Sequence, residues 1–409
     1  MIDTPKGNRL HISIFGKRNA GKSSLVNALT NQNLSLVSDT PGTTTDPVAK
    51  AMELLPIGPV VIIDTAGLDD EGALGELRIK KTREVMDKTD LAILTFTLEN
   101  SYTLDSLEVI DTRLEKQWYE ELKERNIPVI GVLNKIDQKD SPLEILSEKF
   151  PIPFVKISAK DKKNIGALKE AIIKYAPTDF ELPTIIGDIL KPQSRVVLVA
   201  PQDIQAPKGR LILPQVQVIR DILDNGSMAL TVKYTELPEL LNSLKEKPDL
   251  VITDSQIFKK VNSLIPEDIP LTSFSILMAR YKGSLEVLVK GAKAIDALKG
   301  GDRVLIAEAC THHAQKGDIA REKLPGWLLE KAGCRLDIQV NSGADFPEDL
   351  ASYSLVIHCG SCMFNRKQLM SRLLKAEAVG IPITNFGIAI AHINGILPRV
   401  TSMFPELIK

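Results

Sequence analysis

Two groups of residues in this chain could do chemistry, and they stand far apart. Gly16-Lys17-Arg18-Asn19-Ala20-Gly21-Lys22-Ser23 has the spacing G-x-x-x-x-G-K-[ST]. In such a loop glycines let backbone amides close on phosphate oxygens, the lysine reaches the β- and γ-phosphates, and the hydroxyl binds Mg²⁺. Cys310-Thr311-His312 and His358-Cys359-Gly360-Ser361-Cys362 carry soft ligands. Thiolates favour zinc or iron–sulfur centres over hard cations, and Cys-x-x-Cys lets a tight turn bring two sulfurs together. Three cysteines leave one iron of a cubane without a protein thiolate, whereas Cys₃His would close a tetrahedral zinc site. Counting ligands therefore leaves both metals open.

Four further segments follow the phosphate loop in the order expected of a GTPase. Gly42-Thr43-Thr44-Thr45-Asp46 offers Thr44 to Mg²⁺, and Asp64-Thr65-Ala66-Gly67 offers Asp64 to Mg²⁺ through water and the Gly67 amide to the γ-phosphate. In Asn134-Lys135-Ile136-Asp137 the Asp137 carboxylate matches two N–H donors of guanine that adenine lacks. Ser158-Ala159-Lys160 would lay a backbone amide on the guanine O6. The expected nucleotide lining is thus Gly16, Asn19, Ala20, Gly21, Lys22, Ser23, Ser24, Asn134, Lys135, Asp137, Ser158, Ala159 and Lys160. Mg²⁺ falls to Ser23, Thr44 and Asp64, with Lys22, Thr44 and Gly67 at the reacting phosphate.

The elements that must position these groups read as α/β: a P-loop GTPase domain followed by two smaller α/β domains with mainly parallel sheets. Strand-like runs at 10–15, 60–64, 91–96, 129–134 and 154–157 alternate with helical segments in residues 1–177. Residues 178–193, with Pro183 and Pro192, read as a linker. Residues 194–269 repeat the alternation on a smaller scale without a catalytic constellation, which suits packing or self-association. In 270–409, strands are expected at 303–307, 336–340, 355–357 and 381–384. Cys310 follows one of these and His358-Cys359 ends another, so both ligand groups should meet at one rim, beyond the carboxyl ends of the strands, where open α/β sheets bind ligands.

At 409 residues the chain is too long for one ordinary core. A formal net charge of −1 without a basic block speaks against nucleic-acid binding. No apolar stretch approaches the roughly 20 residues that span a bilayer, and Met1 to Arg9 lack the apolar core of a signal peptide, so a cytoplasmic protein is expected. Four cysteines do not make a disulfide scaffold here. Cys334 reads as a small buried hydrophobe, His313 and His392 as surface or capping residues, and His11 as pairing within the surroundings of the first strand.

Residues from about 8 to 176 resemble the TrmE–Era class of GTPases. In its potassium-activated members an asparagine at the place of Asn19 holds K⁺ beside the phosphates, which implies K⁺ and a catalytic part for Asn19, the cation replacing an arginine finger. Arg18 stands where the class has proline, and Thr45 where its switch has arginine. Leu68 occupies the place of the water-orienting glutamine of Ras-like proteins, so slow hydrolysis is expected. With C-x-H, a long spacer and H-C-x-x-C added, the whole chain resembles the maturation GTPases of [FeFe]-hydrogenase, the HydF family. That resemblance implies GTP-binding, dimerisation and cluster-binding domains, and a [4Fe-4S] cluster on Cys310, Cys359 and Cys362. His312 and His358 are then further candidate ligands, with Glu308 and Asp318 near the fourth iron. It also implies a homodimer or higher oligomer that carries a two-iron precursor, built with two radical-SAM enzymes, to apo-[FeFe]-hydrogenase. The alternatives are an RNA-associated GTPase of the TrmE–Era type and a zinc-stabilised switch without cluster transfer.

Overall fold

The apolar runs fold as the strands of two compact units, Met1–Phe180 and Glu181–Lys409. The computed structural model describes all residues except 1–5, 31–46, 68–72, 99–100, 105–106, 139–142, 179–183, 202–210, 310–317, 344 and 408–409. In the first unit lie β1 (Leu10–Gly16), β2 (Val48–Leu54), β3 (Gly58–Asp64), β4 (Leu91–Phe96), β5 (Ser101–Leu104), β6 (Leu107–Ile110), β7 (Val129–Leu133) and β8 (Phe154–Lys156). Among the described residues they form a sheet of order β2-β3-β1-β4-β7-β8 and a separate β5-β6 pair. All pairings in the larger sheet are parallel except that of β2 with β3.

β1, β4 and β7 are buried throughout, as parallel strands with both faces covered must be. Alternate side chains feed opposite layers: Ile12 and Ile14 pack into one apolar cluster, Phe15 into the other. Neither β2 nor the β5-β6 pair was expected. Val48-Ala49-Lys50-Ala51-Met52-Glu53-Leu54 mixes helix-favouring and charged residues. It serves as a strand because a sheet edge accepts an exposed polar face, and most of its positions are exposed or half-exposed.

The second unit contains β9 (Arg195–Val199), β10 (Met228–Val232), β11 (Leu250–Thr253) and β12 (Leu271–Ser273), then β13 (Arg303–Glu308), β14 (Asp337–Ser342), β15 (Leu355–His358) and β16 (Ile383–Asn385). Two parallel sheets result, of order β10-β9-β11-β12 and β14-β13-β15-β16. The boundary expected between 269 and 270 is corrected by the pairing of Leu271 with Val251 and Ser273 with Thr253, which makes residues 271–273 the edge strand of the earlier sheet. Residues 184–193, expected as a linker, also belong to this unit. Ile185 and Ile186 are buried in its core, and the Asp221 carboxylate accepts hydrogen bonds from the Thr184 hydroxyl and the amides of Ile185, Ile186 and Gly187.

One continuous apolar core serves both sheets. The helix Phe274–Lys282 runs through it, buried at Phe274, Ile276, Leu277, Met278, Ala279, Tyr281 and Lys282, and burial on nearly every side marks it as an internal helix. The helix Leu285–Ala292 packs so closely on β16 that a Cβ added at Gly291 would overlap the Ile383 carbonyl. Gly291→Ala gains up to about 1 kcal/mol of helix propensity but overpacks backbone against backbone, at about 1–3 kcal/mol or more. Denaturant unfolding of the full chain should show the second unit destabilised, whereas a variant as stable as the parent would mean that the helix and strand can separate at no cost.

Candidate functional site

The phosphate loop joins β1 to the helix Lys22–Thr30. Its middle adopts left-handed backbone at Asn19 (φ 58°) and Gly21 (φ 81°). Glycine is required at 21 on a second count, because a Cβ there would strike the Asn134 amide nitrogen. Lys22 is almost fully buried, and its Nζ donates to the carbonyls of Gly16 and Lys17, both at 2.8 Å. The ammonium therefore already spans the loop that a phosphate would enter.

Ser23 and Asp64 meet: the Ser23 hydroxyl donates to Asp64 Oδ2 at 2.5 Å. Burial pushes the Asp64 carboxyl pKa up, against the opposing pull of Ser23, Lys22 and Lys50. Its other oxygen, Oδ1, is buried without a hydrogen-bond partner. A buried orphan acceptor beside a hydroxyl is the donor set that a hydrated Mg²⁺ takes, so these residues fit that ion. Gly67 lies just beyond the end of β3. Thr44, with the rest of residues 42–46, and Leu68 lie outside the described residues.

The guanine end is tied to the phosphate end by one buried side chain. Asn134 Nδ2 donates to the Ala20 carbonyl at 2.9 Å, while its Oδ1 accepts from the Ala159 amide at 3.0 Å. Asn134 thereby fixes the phosphate loop relative to the Ser158-Ala159-Lys160 loop. Asp137 is exposed, and its Oδ1 accepts the Ser158 hydroxyl at 2.7 Å. That bond, before any neighbouring lysine, holds the Asp137 carboxyl pKa below its ordinary value. Lys135 adopts left-handed backbone (φ 63°) in the turn between them.

The second site lies at the carboxyl ends of β13 and β15, which pair in parallel with Ala307 opposite His358. Cys359 Sγ accepts the Ala309 amide at 3.0 Å; the next residue, Cys310, lies outside the described residues, as do His312 and His313. Burial pushes the Cys362 thiol up, while the Lys282 ammonium and the amides of Cys362 and Met363 act the other way. Two sulfurs supplied with N–H donors suit a thiolate-bound metal group. Among the described residues, no group of three or more His, Cys, Asp or Glu could hold a metal ion. Cys334 is half-buried against the core.

His358 is fully buried, and its ring is engaged on both sides. Arg372 Nη1 lies 2.8 Å from Nε2. A guanidinium only donates, so Nε2 accepts and the ring proton sits on Nδ1, which faces the Cys359 carbonyl and the Ser361 hydroxyl, each at 3.0 Å. Burial, reinforced by the Arg372 charge, pushes the His358 pKa down to about 3. As placed, the neutral ring has no lone pair to give a metal; it supports the turn instead. Ser361 is thereby held in left-handed backbone (φ 54°). Arg372 also donates to the Gly343 carbonyl and stacks on Phe346 and Phe364. Glu308 is engaged with Arg321 at 2.6 Å, and Asp318 accepts the Arg321 amide. Arg372 and Lys282 carry no motif and were missed in the sequence, as was the supporting role of Ser361 within the motif; only their place at the Cys-x-x-Cys turn reveals them.

Asn134→Ala removes two buried hydrogen bonds, each worth about 1 kcal/mol, and should weaken guanine-nucleotide binding about ten- to thirtyfold in a calorimetric titration. Unchanged affinity would mean the two loops hold their places without it.

Three family models match the sequence. A model described as the 50S ribosome-binding GTPase matches residues 11–135. The hydrogen maturase F dimerization domain matches 185–283, and the tetramerization domain of the same family matches 286–403. The tRNA modification GTPase MnmE of Endomicrobium trichonymphae is 37% identical over 169 residues, 41% of this chain and 35% of the relative. The GTPase Der of Wolinella succinogenes is 31% identical over 191 residues, 44% of this chain and 38% of the relative. The chain thus spans little more than a third of the length of these relatives. The structure of Aquifex aeolicus Era is 19% identical and covers 57% of this chain and 97% of that one, with a TM-score of 0.37. No helix among the described residues is long and apolar enough to cross a membrane. The N-terminal unit contains a P-loop GTPase domain, and the remainder carries domains of homo-oligomer formation. The two maturase F models together span more than half of the sequence, and the chain belongs to the hydrogen maturase F family.

Proposed function

We propose that this chain hydrolyses GTP and serves as a scaffold that holds a [4Fe-4S] cluster on Cys310, Cys359 and Cys362. It would carry a two-iron precursor, made with two radical-SAM enzymes, to apo-[FeFe]-hydrogenase. The observation that carries the reading is the Cys359–Cys362 turn at a sheet rim, its sulfurs met by backbone N–H groups and by Ala309, the residue before Cys310. Membership of the maturase F family supports it.

In the nucleotide site Lys22 transfers its bonds from the Gly16 and Lys17 carbonyls to the β- and γ-phosphates. Ser23, Thr44 and, through water, Asp64 would hold Mg²⁺, which would supply positive charge to the phosphates during in-line attack by water. Asn19 would hold K⁺ beside the phosphates, where the cation would supply the positive charge of an arginine finger. Gly67 reports the γ-phosphate through its amide. Leu68 cannot orient the water, so turnover without a partner is slow.

Asp137→Asn replaces an acceptor by a group that also donates. Competition assays should show guanine affinity falling at least about tenfold while the nucleotide of xanthine, which has a carbonyl in place of the guanine amino group, binds better. An unchanged preference would remove Asp137 from base recognition. For the cluster, anaerobic reconstitution with iron and sulfide followed by reduction with dithionite should yield a [4Fe-4S]⁺ EPR signal that Cys359→Ser abolishes. Stoichiometric zinc with no iron uptake would defeat the cluster reading.

A further inference from the structure

Lys282 ends the internal helix Phe274–Lys282 and is 2% exposed. A buried ammonium needs oxygen partners, and the partners found here are carbonyls of the cysteine turn. Nζ lies 2.7 Å from the Phe364 carbonyl, 3.2 Å from that of Cys362 and 3.4 Å from that of Ser361. The next segment is anchored in the same way, since Arg366 Nη1 donates to the carbonyls of Tyr281 and Gly283, on either side of Lys282. The turn is therefore clamped from beneath onto a helix that the core itself holds.

We propose that Lys282 is the positioning residue of the Cys359–Cys362 turn and fixes one positive charge beside its thiolates. The reading rests on the cluster assignment above and adds to it a residue outside both cysteine segments. Two consequences follow from one ammonium. As a donor to three carbonyls it holds the turn in the form that presents both sulfurs at the rim. As a charge in a poorly solvated place it opposes the negative charge of thiolates and of an added electron, and so raises the reduction potential of a cluster bound there.

Two variants separate these roles. Lys282→Met keeps the length and removes both donor and charge; Lys282→Gln keeps a donor and removes the charge. Hydrogen–deuterium exchange on the metal-free full chain should show the amides of residues 361–364 opening about tenfold or more faster in Lys282→Met, with much of the protection restored in Lys282→Gln. After anaerobic reconstitution, a redox titration followed by EPR should place the midpoint potential lower in both variants than in the parent. Should Lys282→Met fail to fold, the potential of Lys282→Gln decides alone. A parent-like potential in Lys282→Gln overturns the electrostatic role, and unchanged exchange in Lys282→Met overturns the clamp. Failure of the parent chain to take up iron would sink the cluster assignment, while the exchange measurement would still decide whether Lys282 holds the turn.

Discussion

The parallel pairing of β13 with β15 is the constraint on which the second site depends. Ala307 lies opposite His358, the Cys359 amide donates to the Ala307 carbonyl at 2.9 Å, and the Ala309 amide returns a bond to Cys359 Sγ. Two segments some fifty residues apart in sequence are thereby brought to one rim by main-chain hydrogen bonds. The strands are buried apolar runs, so slipping the register would expose apolar side chains or break the ladder. The core thus fixes where Cys359 stands.

Both candidate sites use the same device: a buried polar side chain bridges loops that share no regular structure. Asn134 ties the phosphate loop to the guanine loop, and Lys282 with Arg372 supports the cysteine turn. Each bridge has its partners satisfied within the protein, and removing one end would leave the other buried and unpaired. This explains why loops carrying chemistry hold defined shapes, including left-handed backbone at Asn19 and Ser361, positions where strain is tolerated only when the surroundings enforce it.

Much of the fold was legible because buried parallel strands are continuous apolar runs. Leu91–Phe96 and Leu250–Thr253 fall where those runs begin and end. The phosphate loop, Asp64, Asn134 and Asp137 stood out in the sequence because their spacing matches GTPase motifs, and the structure brings Ser23 to Asp64 and Asn134 to the Ala20 carbonyl. What escaped has physical reasons. Val48–Leu54 has the composition of a helix and becomes a strand only by tertiary pairing, and Leu271–Ser273 is too short for a period. Pro183 and Pro192 suggested a linker, while the order of residues 184–187 comes from Asp221. Lys282 and Arg372 look like ordinary surface cations in one dimension, since their role exists only where the internal helix and the Cys-x-x-Cys turn meet.

The most direct test of the central claim is crystallography of the anaerobically reconstituted full chain with data collected across the iron absorption edge. The arrangement at the β13–β15 rim predicts one compact peak of anomalous density within bonding distance of the sulfurs of Cys310, Cys359 and Cys362, with one iron free of protein thiolate. Iron bound elsewhere, or three sulfurs spread too widely to share one cofactor, would contradict it.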